Sequence, residues 1–74
     1  SLLGGAGTAA GMFAMSDRRL KRNIRRIGAR NGIPWYEFDY VWGQHSIGVM
    51  ADEAPPDAVH IHPSGFLMVD YSKV

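Results

Sequence analysis

The chain contains no cysteine, which removes both a disulfide framework and a thiolate zinc site from consideration. It also lacks an uninterrupted apolar stretch of the roughly 20 residues that a membrane-crossing helix requires. Nine glycines and four prolines punctuate the sequence, so long helices are not expected. No basic segment precedes the apolar start, as a secretory signal would require. Length sets the next limit, because 74 residues exclude a two-domain enzyme and leave one small domain. The core of such a domain only just offsets chain entropy. Partner chains, or a larger parent protein, are therefore expected, and a first residue Ser1 in place of methionine fits a fragment.

What is present is unevenly distributed. The net charge of +1 hides seven basic residues and one acidic residue between Asp17 and Arg30, against one basic and six acidic between Asn31 and Val74. The two parts attract, so the basic stretch is either a surface for nucleic acid or anionic lipid or the internal partner of the acidic part. Ser1 to Met15 carries no charge and sets Gly4, Gly5, Gly7 and Gly11 among Ala, Leu, Met and Phe. It reads as an apolar linker or helix of a parent protein. Gly7 and Gly11 have the four-residue spacing that permits close helix packing, so self-packing or membrane contact through residues 1–15 is open.

The coarse pattern beyond Ser16 is that of a small antiparallel sheet. Leu20, Ile24 and Ile27 fit a helix by spacing, but Gly28 and Gly32 cut the run short, leaving helix and strand both open for 20–27. From Ile33 to Trp42, Tyr36, Phe38 and Tyr40 alternate with Glu37, Asp39 and Val41, which predicts a strand. Ser46 to Met50 is a second short apolar run. Ala51 to Ala58, acidic and interrupted by Pro55 and Pro56, predicts one short helical turn. Ala58 to His62 and Phe66 to Tyr71 flank Pro63-Ser64-Gly65 and predict a hairpin. The fold class expected is therefore α+β, mainly antiparallel β with one short helix, with 1–15 apart from a domain spanning 16–74.

One segment is more specific than the rest: Ser16-Asp17-Arg18-Arg19-Leu20-Lys21-Arg22-Asn23-Ile24. At Ser16, Asp17, Arg19, Leu20, Lys21, Asn23 and Ile24 it resembles the signature that opens the intramolecular chaperone auto-processing domain of bacteriophage tailspikes and tail fibres. Further blocks follow in order. Tyr36, Phe38, Tyr40 and Trp42 resemble that family's aromatic strand, and Gly48 to Glu53 its Gly-x-x-Ala-Gln-Glu segment, with Asp52 in the glutamine position and Ala54 where a larger apolar residue is common. Pro56 to Val59 and Val69-Asp70-Tyr71 complete the set. The resemblance covers residues 16–72, and the family's helical tail after Val-Asp-Tyr does not follow before Val74.

The resemblance implies a virion protein made in the host cytoplasm, homotrimeric and in contact with other virion proteins, whose terminal domain assists folding and then releases itself by Ser-Lys autoproteolysis. Ser16 would be the nucleophile and Lys21 the general base, supported by Asp17, Arg19, Asn23, Glu53 and Asp70, with no cofactor and no metal. A lysine is a base only when neutral, and burial beside like charge lowers its pKa; Arg18, Arg19, Arg22, Arg25 and Arg26 supply that charge in sequence. Asp52, Glu53, Asp57 and Asp70 are the carboxylates expected to balance the arginines. A five-residue separation sets Ser16 and Lys21 about 140° apart on a helix and on opposite faces of a strand, so a turn at Asp17 must join them. Through a five-membered ring the hydroxyl reaches the Met15 carbonyl, the easier of the two neighbouring bonds to attack. Asn23 or amides near Gly28 are candidate oxyanion donors.

Plainer readings stand beside these. Ser16 with Asp17 is also a common helix cap. The module could remain uncut and organise a tail, a fibre or an internal ejection protein. Arg18, Arg22, Arg25 and Arg26 could instead contact DNA. His60 and His62 share a strand face and could ligate a metal with His45 or Asp57, though surface or interface histidines suffice. Trp35, Tyr36, Phe38, Tyr40 and Trp42 read most simply as core and interface packing.

Overall fold

The computed structural model describes residues 13–74. Six strands run Phe13–Met15 (β1), Lys21–Arg30 (β2), Ile33–Tyr40 (β3), His45–Gly48 (β4), Val59–Ile61 (β5) and Leu67–Asp70 (β6). They form two three-stranded antiparallel sheets, ordered β1-β6-β5 and β2-β3-β4. Short 3-10 turns occupy Arg18–Leu20, Ala51–Glu53, Pro56–Ala58 and Tyr71–Lys73. The mainly antiparallel fold is as expected, and the one short helical turn expected at Ala51–Ala58 is matched only loosely, by 3-10 turns. Pro55 and Pro56 divide Ala51–Ala58 into two 3-10 turns too short to become an α-helix. Strand β1 pairs with β6, so residues 13–15 are built into the sheet on the N-terminal side of the boundary expected at Ser16. The reading of 1–12 as linker or helix, including the Gly7 and Gly11 spacing and membrane contact, falls outside the described residues.

The ambiguity over residues 20–27 resolves as strand β2 from Lys21 onward, with Leu20 closing the 3-10 turn before it, and the reason for the strand lies beyond it. Asn31 and Gly32 both take positive φ, 54° and 78°, the backbone that a two-residue hairpin needs to match strand twist. Asn31-Gly32 therefore folds β2 onto β3 in register from Arg30 opposite Ile33 to Lys21 opposite Tyr40, with irregularities between Arg22 and Arg25 and between Arg26 and Gly28. The expected hairpin around Pro63-Ser64-Gly65 forms as well, pairing β5 with β6 and using Gly65 at φ 91°.

Two small cores result. Ile33, Trp35, Val49, Ala51, Ala58 and Val69 make one, and Leu20, Phe38, Tyr40 and Met50 the other. Successive residues of an extended chain point to opposite sides. The odd-numbered Ile33 and Trp35 thus enter the first core, and the even-numbered Phe38 and Tyr40 enter the second. Val49 and Met50 divide between the two cores in the same way, which leaves the Val49 backbone between them. Of the aromatics expected to pack, Trp35, Phe38 and Tyr40 are buried, whereas Trp42 is exposed and stacks on Tyr40 with ring centroids 4.3 Å apart.

Candidate active site

Ser16 follows β1 and is fully buried. Its backbone is held on both sides: its N–H donates to the Leu67 carbonyl at 3.0 Å, and its own carbonyl accepts from the Ala51 N–H at 2.8 Å. Asp17 then makes the turn that the five-residue spacing demands. Extended at φ −67°, it caps the 3-10 turn Arg18–Leu20 by accepting from the Arg19 N–H, and Leu20 N–H closes back on the Asp17 carbonyl at 3.0 Å. That turn delivers Lys21 to the start of β2.

The Lys21 amine is buried too. It donates to the Val49 carbonyl at 2.8 Å and sits over the Phe38 ring, 4.0 Å from its centroid. Burial pushes its pKa down to about 7, and the Arg18 charge adds to that shift. Near neutral pH a large share of the amine is therefore unprotonated, the state a general base requires. The Ser16 hydroxyl is 3.0 Å from the Tyr71 hydroxyl, which in turn accepts from the Val49 N–H at 2.9 Å. Val49 thus touches both halves of the pair, through its carbonyl to Lys21 and through its amide, by way of Tyr71, to Ser16. Because the phenol oxygen already accepts one hydrogen bond, Tyr71 can donate its proton to Ser16 and leave the serine proton free for a base.

Asp17, buried to a similar degree, braces this geometry. One carboxylate oxygen accepts from the Arg19 N–H at 2.9 Å and from Arg19 Nε at 3.0 Å. The other accepts from Arg19 Nη2 at 2.7 Å and from the Leu67 N–H at 3.0 Å. These bonds, those of the Arg19 side chain first, hold the Asp17 carboxyl well below the usual carboxylate range. The Leu67 amide and carbonyl are thereby tied to Asp17 and Ser16 respectively, which locks β6 against the turn. Arg19 itself lies against the Phe66 ring, 4.8 Å from its centroid.

The remaining expected residues fall into two groups. Glu53 lies near the site's rim, accepting from the Tyr36 hydroxyl at 2.8 Å with Arg18 at 3.6 Å, and Arg18 also forks onto Asp52 at 3.1 Å. Asn23 is turned elsewhere: at φ 54°, it donates to Asp39 at 2.9 Å on the exposed side of the β2-β3 ladder. The Gly28 segment likewise lies on the exposed part of β2, so neither expected oxyanion donor is placed at Ser16. Asp70 binds no arginine; it accepts from the N–H and hydroxyl of Ser72 at 3.0 and 2.6 Å and caps the last turn. Asp57 faces Lys73 at 3.9 Å instead of an arginine. His45 contacts Asp39 at 2.7 Å, His62 contacts Ser64 at 2.8 Å, and His60 meets the Phe13 ring. No group of three metal-ligating side chains occurs among the described residues.

No family model, curated protein or solved structure matches the chain. The chemistry of the site therefore rests on its own residues. Two of them escaped the sequence reading. Tyr40 was expected only to pack, yet its hydroxyl donates to the Met15 carbonyl at 2.6 Å. Tyr71 entered only as the last residue of the Val69-Asp70-Tyr71 block, yet its hydroxyl lies 3.0 Å from that of Ser16. The turn alone gave no signal for Tyr40, since a regular hairpin closed by Asn31-Gly32 would set Trp42 opposite Lys21, and it is the two irregularities in β2 that bring Tyr40 there.

Proposed function

We propose that this chain is a self-cleaving assembly module of the phage tailspike and tail-fibre type, with Ser16 as nucleophile and Lys21 as general base, cutting the Met15-Ser16 bond in cis. The observation that carries the reading is a lysine amine buried against two aromatic rings and held down to about 7, linked through Val49 and then the Tyr71 hydroxyl to a fully buried serine hydroxyl. A lysine kept only as a surface charge would gain from solvent and would resist burial. A serine kept only as a cap would use its side chain on a turn amide, whereas Asp17 performs that role here.

Ser16 is positioned for attack on the preceding carbonyl because backbone bonds to Leu67 and Ala51 fix the residue on both sides. As a virion assembly module it would associate with further copies of itself, and among the described residues Phe13, Ile27, Val41, Trp42 and Ile61 are exposed apolar side chains available for that purpose. The basic stretch supports DNA contact less well, because Arg18 and Arg25 are paired with Asp52 and Glu37.

The test is the mass of the chain over time. Wild type is expected to yield a fragment 16–74 and a peptide 1–15, while Ser16→Ala and Lys21→Ala remain whole. Three intact chains would leave the uncut architectural role as the better account.

A further inference from the structure

Resting on that reading, we propose that Tyr40 is a catalytic residue of the same site, its hydroxyl activating the Met15 carbonyl and binding the oxyanion that forms there. Three observations converge on it. The Tyr40 hydroxyl donates to the Met15 carbonyl oxygen at 2.6 Å, at the short end of O–H···O hydrogen bonds, and this carbonyl belongs to the peptide whose nitrogen is Ser16. Tyr40 is directly opposite Lys21 in the β2-β3 ladder, so the base and the carbonyl donor are carried on one rigid pair. The Lys21 amine also lies 5.8 Å from the Tyr40 ring centroid.

Tyr40 is buried and its ring is fixed edge-on to Phe38, with centroids 5.1 Å apart, and stacked on Trp42. The donor therefore needs no reorganisation as charge develops. Burial also pushes its pKa up to about 12, so between about 7 and 12 it keeps its proton while Lys21 is largely neutral.

The step balances as an N-to-O acyl shift. Lys21 takes the Ser16 hydroxyl proton as Oγ bonds to the Met15 carbonyl carbon, and the carbonyl electron pair moves onto the oxygen held by Tyr40. Collapse of this intermediate breaks the C–N bond, and the Lys21 ammonium returns the proton to the Ser16 nitrogen. Water then hydrolyses the resulting ester, giving a Met15 carboxylate and a free Ser16 hydroxyl. The Ser16 N–H is held meanwhile by the Leu67 carbonyl, which keeps the departing amine in place.

The experiment follows cleavage of the whole chain by intact mass for wild type, Ser16→Ala, Tyr40→Phe and a chain with 3,5-difluorotyrosine at position 40, with and without hydroxylamine. Wild type is expected to give a fragment beginning at Ser16. Tyr40→Phe is expected to be about 100-fold slower, in line with loss of one oxyanion donor. Hydroxylamine, which captures an ester already formed, should not restore it. Difluorotyrosine keeps the ring and sharpens the donor, so it is expected to cleave faster, which guards against a Phe variant that merely fails to fold. Wild-type rates in both Tyr40 variants, or hydroxylamine rescue of Tyr40→Phe, would overturn the role of Tyr40 and leave the Ser16-Lys21 reading standing. An uncut wild type would overturn that reading, and the assignment of Tyr40 with it.

Discussion

A buried carboxylate at position 17 is the residue on which the serine's placement depends. Its two oxygens satisfy the N–H groups of Arg19 and Leu67 as well as the Arg19 guanidinium. Asp17→Ala would strand two backbone donors, each worth roughly 1–3 kcal/mol when left unpaired, and is expected to lower unfolding free energy by about 2–4 kcal/mol in urea titration. The acid response has a defined sign. Because the folded carboxyl titrates below its ordinary 3.8, its contribution is complete above that value and is lost as pH falls beneath it. Asp17→Asn should therefore flatten the fall in stability below pH 4. Asp17 was legible as part of the Ser-Asp pair, and so was the need for a turn there. That its carboxylate reaches Leu67, 50 positions away, was not, because a hydrogen bond at that separation is set by how β6 docks.

Among the elements, β4 and the turn after β6 approach closely at Gly48. A Cβ placed on Gly48 would come 2.4 Å from the Tyr71 hydroxyl and 3.7 Å from Phe38, so only glycine lets the phenol reach Val49 and Ser16. Gly48→Ala is expected to displace that hydroxyl, which would appear as a shifted Tyr71 resonance and faster amide exchange at Val49 in NMR, with β4 still paired to β3. The β2-β3 hairpin offers a second test. Gly32 has φ 78° with open space around it, so Gly32→Val meets backbone strain without a clash. It is expected to cost about 1–2 kcal/mol and to lower the melting temperature, whereas Gly32→Asn should be close to neutral.

These elements also show how far sequence reasoning reaches. Alternating aromatics marked β3 and the Pro63-Ser64-Gly65 turn marked β5 and β6, since both signals are local. For β2, spacing of Leu20, Ile24 and Ile27 was indifferent between periods, and the deciding signal was Asn31-Gly32, just past the segment. The helical turn expected at Ala51–Ala58 forms as two 3-10 turns because Pro55 and Pro56 interrupt the segment. Ser16 and Lys21 were singled out as candidates through ordered blocks of resemblance. Tyr40 and Tyr71 were passed over because nothing local distinguishes a packing tyrosine from one whose hydroxyl has a partner.

At the scale of the whole molecule, folding carries a lysine into the interior, and stability must respond to pH. The folded Lys21 titrates at about 7 and the exposed amine at 10.5, so between these values the unfolded chain binds more protons than the folded one. Stability is then expected to rise with pH from about 7 to 10. Above pH 10 the slope reverses, because Tyr36, Tyr40 and Tyr71 all titrate above their ordinary value in the folded state. Lys21→Met should remove the rising limb and keep the fall above pH 10. Chemical denaturation at pH 6, 8, 10 and 11 measures both limbs, and a rising limb of equal size in Lys21→Met would assign it to another group.

The whole account turns on the charge of one amine. Nuclear magnetic resonance titration of the Lys21 side chain, with 13C-labelled lysine in the Ser16→Ala chain so that cleavage cannot intervene, reads it directly, and Lys73 serves as an internal exposed reference. The account predicts a Lys21 midpoint near 7. A midpoint near 10.5 would mean that the amine is charged at neutral pH and would contradict its role as a base.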